Sequence, residues 1–70
     1  MIPITFANTG EDCIIKRIGG NDEIKRHLAS LGFTVGGHVT VVSSLSGNVI
    51  VNIKESRVAI GKDMAAKIMI

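Results

Sequence analysis

From Leu31 to Ile60 the chain reads LGFTVGGHVTVVSSLSGNVIVNIKESRVAI, three short apolar runs separated by glycine and polar turns. Within each run the apolar residues fall two apart. Val39 and Val41 share one face, as do Val49, Val51 and Ile53, and as do Val58 and Ile60. Many intervening positions are polar, the pattern of strands buried on one side only. Short strands with tight links predict a meander of antiparallel strands curled into a small barrel. Such a body presents a surface rather than enclosing a substrate.

Composition reinforces that limit. Seventy residues make one domain, residues 1–70, and a chain of this size buries only about 60% of the surface its unfolded form exposes. The apolar fraction is 46%, but it is aliphatic, with two Phe and no Trp or Tyr. A deep pocket would compete with the core for the same side chains, so an independent enzyme is not expected. Eight basic and six acidic residues give a net charge of +2, spread without a block of one sign. Nucleic-acid binders cluster Lys and Arg and add aromatic stacking platforms. This chain has neither, and a nucleic-acid partner is not expected. The single Cys13 cannot close an intramolecular disulfide, which fits a reducing compartment, and its apolar neighbours Ile14 and Ile15 suggest a buried strand residue. No apolar run reaches the ~18 residues of a membrane span, and no basic-then-apolar leader opens the chain. The expected location is cytoplasmic.

The order of elements can be read from the turn signals. Met1 to Ala7, with Pro3, reads as an extended edge segment, and Asn8-Thr9-Gly10 as a turn. Cys13 to Ile18 reads as a first strand, ended by Gly19-Gly20, although Cys13-Ile14-Ile15 hides which side faces inward. A helix follows: Asn21 is the N-cap, Asp22 and Glu23 occupy the first turn, and Gly32 marks the exit. Ile24, Leu28 and Leu31 form its apolar stripe. Strands His38 to Ser44, Asn48 to Ile53 and Arg57 to Ile60 come next, then a helical turn from Gly61 to about Ala66 and a last strand at Ile68 to Ile70. The prediction is a mostly β fold, a small SH3-like β-barrel of about five strands. One helix is inserted between the first two strands and a short helical turn precedes the last.

No constellation for catalysis emerges. The serines lack a nucleophile elbow, and the acidic residues read as helix-start and surface charges. His27, His38 and Cys13 lack the paired spacing by which one local element presets half a metal site. No cofactor is expected, and transition-metal binding is expected to be weak or absent. Gly19-Gly20 before a helix is not a phosphate loop, because Asp22 and Glu23 stand where the phosphate would go. A groove for Pro-rich peptides needs more aromatic residues than Phe6 and Phe33. The remaining candidate is the stripe Ile24, Leu28 and Leu31 with Phe33, either as an apolar contact surface or simply as core. A free strand edge would permit a weak homodimer.

Several segments, in their order and spacing, resemble the FeoA family over nearly the whole chain. They are I-P-I before T-G-E, C-I-I-K-R-I with G-G, L-x-x-L-G-F, G-G-H-V-T-V-V, G-N-V-I-V, and R-V-A-I-G-K-D-M-A-A-K-I. Phe6 departs from the Leu more usual there. The resemblance implies an SH3-like barrel acting as a cytosolic accessory of ferrous iron uptake. Its partner would be the cytoplasmic GTP-binding part of the FeoB membrane transporter, with the membrane met only through that transporter. Family motifs carry over onto Leu28, Leu31, Gly32 and Phe33, onto Gly47 and Asn48, and onto Arg57, Val58 and Ala59. Leu28, Leu31, Phe33, Gly47, Asn48 and Arg57 are the expected partner-binding residues. The alternative is the C-terminal domain of DtxR-type metal-dependent repressors, which follows a DNA-binding domain that no part of this sequence resembles.

Overall fold

Residues that alternate apolar and polar become strands with one dry face and one wet face. The computed structural model describes residues 1–70. After a short 3-10 turn at Ile4–Phe6, the elements run β1 (Asp12–Ile14), β2 (Arg17–Ile18), α1 (Asp22–Ser30) and β3 (His38–Leu45), then β4 (Asn48–Ile53), β5 (Ser56–Ile60), α2 (Lys62–Ala65) and β6 (Ile68–Met69). One antiparallel sheet has the order β1-β3-β4-β5, and a second pairs β2 with β6. β4 is the simplest strand: Val49, Val51 and Ile53 are buried while Asn48, Ile50 and Asn52 face out. Val39 and Val41 of β3 and Ile60 of β5 join that core, with Val58 packed at its margin. Past Val41 the register with β4 shifts, so that Val42 is an extra residue and β3 bulges.

The predicted first strand is in fact two, which makes six strands rather than five. Cys13 and Ile15 are buried and Ile14 is exposed, so the run alternates after all, with an isoleucine on its wet side. The backbone then changes partners. Ile15 N–H donates to Gly37 O (2.9 Å), whereas Lys16 N–H donates to Met69 O (2.8 Å). This corner passes the chain from one sheet to the other. The N-terminal segment also departs from a plain edge. Pro3 bridges Met69, but Phe6 N–H folds back onto Pro3 O at 3.0 Å, which turns Ile4 into the core.

Both helix ends form as predicted. Asn21 Oδ1 accepts the Ile24 N–H at 2.9 Å. At the exit, Gly32 N–H donates to Ala29 O and Phe33 N–H to Leu28 O, each at 3.0 Å. Gly32 has φ +105°, the left-handed residue that such a paired closure requires. The closure draws Leu28 and Phe33 into the interior, where both are wholly buried. No helix is long and apolar enough to cross a membrane.

Candidate docking surface

The six residues expected to meet a partner do not form one patch. Leu28 and Phe33 have no exposed surface, so neither side chain can touch a partner; they hold the helix exit against the barrel. Leu31, the C-cap, is half-buried over the same corner. A Cβ at neighbouring Gly32 would lie 3.5 Å from Ile53 Cγ2, which sets this corner beside the end of β4. Arg57 is near that end too, since it pairs with Asn52 and its Nε donates to Asn52 Oδ1 at 3.3 Å.

Gly47 and Asn48 stand at the opposite end of β4, against α2. Asn48 Oδ1 accepts the Lys62 N–H at 3.0 Å. Gly61, the N-cap of α2, has no side chain to do so. Asn48 thus caps α2 from across the fold. Gly47 has φ +84°, and a Cβ there would stand 2.9 Å from Lys62 Cβ. The G-N pair is therefore explained by its packing on Lys62 before any partner is invoked.

Around this end runs a shallow groove lined by Ile24, Asn48, Gly61, Lys62, Asp63, Met64 and Lys67. A second depression, with Glu23, Arg26 and His27, shares Ile24 and Met64 with it. The two half-buried apolar side chains thus form a seam between α1 and α2 with charges of both signs on its rim. Gly20 lets the helix entry close tightly here: its φ is +94°, and a Cβ would meet Lys67 Cδ at 2.9 Å and Ile24 Cγ2 at 3.1 Å. This approach accounts for Gly20 without a phosphate, whereas a Cβ at Gly19 would meet nothing closer than Lys67 O at 3.6 Å. Ile24 belongs to the predicted stripe. Met64 carries no such signal in the sequence, because a four-residue helix gives no periodicity from which to read a face.

The outer face of the larger sheet carries a polar row, Asp12, Thr40, Asn52 and Arg57, one residue from each strand in register. Thr40 Oγ1 donates to Asp12 Oδ1 at 3.4 Å, and His38 Nδ1 lies 3.3 Å from Asp12 Oδ2. No three His, Cys, Asp or Glu side chains come together as a metal site would need. Cys13 is buried as expected. Burial pushes its thiol pKa up, and the Glu11 carboxylate that accepts from its Sγ at 3.5 Å pushes it further. A thiol so placed is a poor nucleophile.

The comparisons with known proteins agree with this architecture. The sequence profile of the FeoA domain family matches residues 2–70. A Methanocaldococcus jannaschii protein provisionally named Fe(2+) transport protein A is 37% identical over 70 residues, covering 100% of this chain and 85% of that one. The crystal structure of an iron uptake regulatory protein (FeoA) superposes with a TM-score of 0.87 at 30% identity, covering 96% of this chain and 89% of the other. A manganese-dependent transcriptional repressor superposes with a TM-score of 0.86 at 22% identity, over 94% of this chain but 38% of the repressor. That last likeness is one of fold.

Proposed function

Because the chain belongs to the FeoA domain family, we propose that it is an accessory of ferrous iron uptake, docking on the cytoplasmic GTP-binding part of a FeoB-type transporter. The observation that carries this reading is the match over essentially the whole chain to a protein named for Fe(2+) transport. A thin aliphatic core without a catalytic constellation supports a role exercised through contact. In this reading the protein neither carries the iron nor hydrolyses nucleotide. It acts at the cytoplasmic face of the membrane and meets the bilayer only through the transporter. The likeness to the manganese-dependent repressor is confined to the barrel and favours no role in transcription.

The docking face in this proposal is the seam between α1 and α2. Ile24 and Met64 supply apolar contact, while Lys62, Lys67 and Asn48 supply polar partners along the groove. Leu31 and Arg57, at the far end, would extend the contact only if the partner wraps the barrel. The test is a pull-down, followed by calorimetry, with the transporter's cytoplasmic domain. Wild-type protein should bind, and Met64→Glu should weaken binding by about tenfold or more, as expected for an anchor inside an interface. Undiminished binding by Met64→Glu would move docking off the seam. No binding by well-folded wild type would reject the transporter as partner.

A further inference from the structure

β5 is one of the two outer strands of the larger sheet, the other being β1. A two-residue turn separates Ile53 from Ser56, which makes that pair a hydrogen-bonded one. Alternation extends this to Val51 with Val58 and Val49 with Ile60. The backbone N–H and C=O groups of Arg57 and Ala59 therefore point away from β4. No turn or loop hydrogen bond reaches them, and both residues are exposed. β5 has no proline, no bulge and no inward-facing charge, so it lacks most of the devices that keep sheet edges apart.

We propose that β5 pairs antiparallel with β5 of a second copy of this chain, about a two-fold axis at Val58, joining two four-stranded sheets into one. This register is the one the side chains fit. It sets Arg57 opposite Ala59 of the second copy, and Ala59 opposite that copy's Arg57, so all four outward backbone groups on each strand find partners. Centring the axis on Arg57 would bring two guanidinium groups face to face. Centring it on Ala59 would set Glu55 against Asp63. The chosen register leaves one kind of like-charge contact, Lys54 with Lys62, made twice per dimer and beyond the ladder's ends. The contact is one short strand edge from each copy, small beside the ~800 Å² per partner of a standard interface, so association should be weak.

The register makes opposite predictions for two variants at one position. Ala59→Glu places a carboxylate opposite Arg57 of the other copy, twice per dimer, and should tighten association by about three- to tenfold; Ala59→Arg should weaken it by a similar factor. Within the monomer, residue 59 faces Ile50 across the strands, so neither change creates a charged cross-strand pair there. Sedimentation and amide chemical shifts would be followed from about 20 μM to about 2 mM, the range in which a weak association changes the populations, with thermal unfolding as a check on folding. The expected result is concentration-dependent shifts at Arg57 and Ala59, with the two variants displaced in opposite directions. A concentration-independent monomer, or both variants moving the same way, would overturn the proposal. So would edge amides that respond to the transporter's cytoplasmic domain but never to concentration.

Discussion

Lys62 packs against Gly47 of the β3–β4 turn and bonds Asn48 at the start of β4, and each of the two makes a separate prediction. Gly47 has a left-handed backbone and no room for a Cβ beside Lys62. Gly47→Ala should therefore cost about 2 kcal/mol, from αL strain and from the shift it forces. For a domain of this size that lowers the melting temperature by about 10 °C. Asn48→Ala removes the acceptor for the Lys62 N–H and should cost about 1 kcal/mol, whereas Asn48→Asp keeps an acceptor and should recover most of it. Calorimetric melts of the three variants decide this. Cys13 adds a pH dependence. Its pKa is raised by folding above the ordinary 9.0, so the folded chain holds that proton more tightly than the unfolded one. The associated stability is complete below pH 9.0 and is lost as pH rises through the folded value. Cys13→Ala should flatten the alkaline limb of a denaturation series, and a limb unchanged in slope would count against it.

Among the elements, α1 and the two hairpins are where local sequence and tertiary packing agree. Leu28→Gln puts an amide among apolar side chains and should cost about 3 kcal/mol or more, a large share of what a chain this short has to lose. Leu31→Gln, at a half-buried position, should cost about 1 kcal/mol or less. Urea melts of the pair would separate the interior of the stripe from its margin; equal losses would contradict the burial. In the β3–β4 turn, Ser46 has φ +53° ahead of Gly47, a pairing that hairpins of this length prefer to fill with Asn-Gly. Ser46→Asn should gain about 0.5 kcal/mol by easing that strain. The caps and turns were legible because each is written within a few residues: Asn21 with Ile24, Gly32 with Ala29, Ser46 with Gly47. The break after Ile15 was not, since it depends on Gly37 and Met69 as successive partners. The same holds for the docking seam. Nothing near Asn48 in the sequence announces Lys62, and nothing near Ile24 announces Met64.

At the scale of the molecule, the second sheet closes the barrel with strands far apart in the chain, β2 and β6. Ile2 and Ile70 exchange two backbone hydrogen bonds, at 3.0 and 2.8 Å, while β2 binds β6. At least the stretch from Ile18 to Ile68 must close into a loop before any of these contacts forms. Closing it is the part of the search that costs most time and returns nothing until it succeeds. The β3–β4–β5 meander has no such handicap, so folding should begin there and end at the seam between the termini. A circular permutant with Ile70 joined to Met1 through a short glycine linker, and new ends at the exposed Lys54–Glu55 turn, makes the late contacts local and the β4–β5 pairing remote, while β3–β4 stays local. Stopped-flow refolding should show structure around β6 and β2 forming earlier than in the parent chain, and β5 docking later. The geometry that binds the two ends of this chain side by side would then decide where its folding starts as well as where it stops.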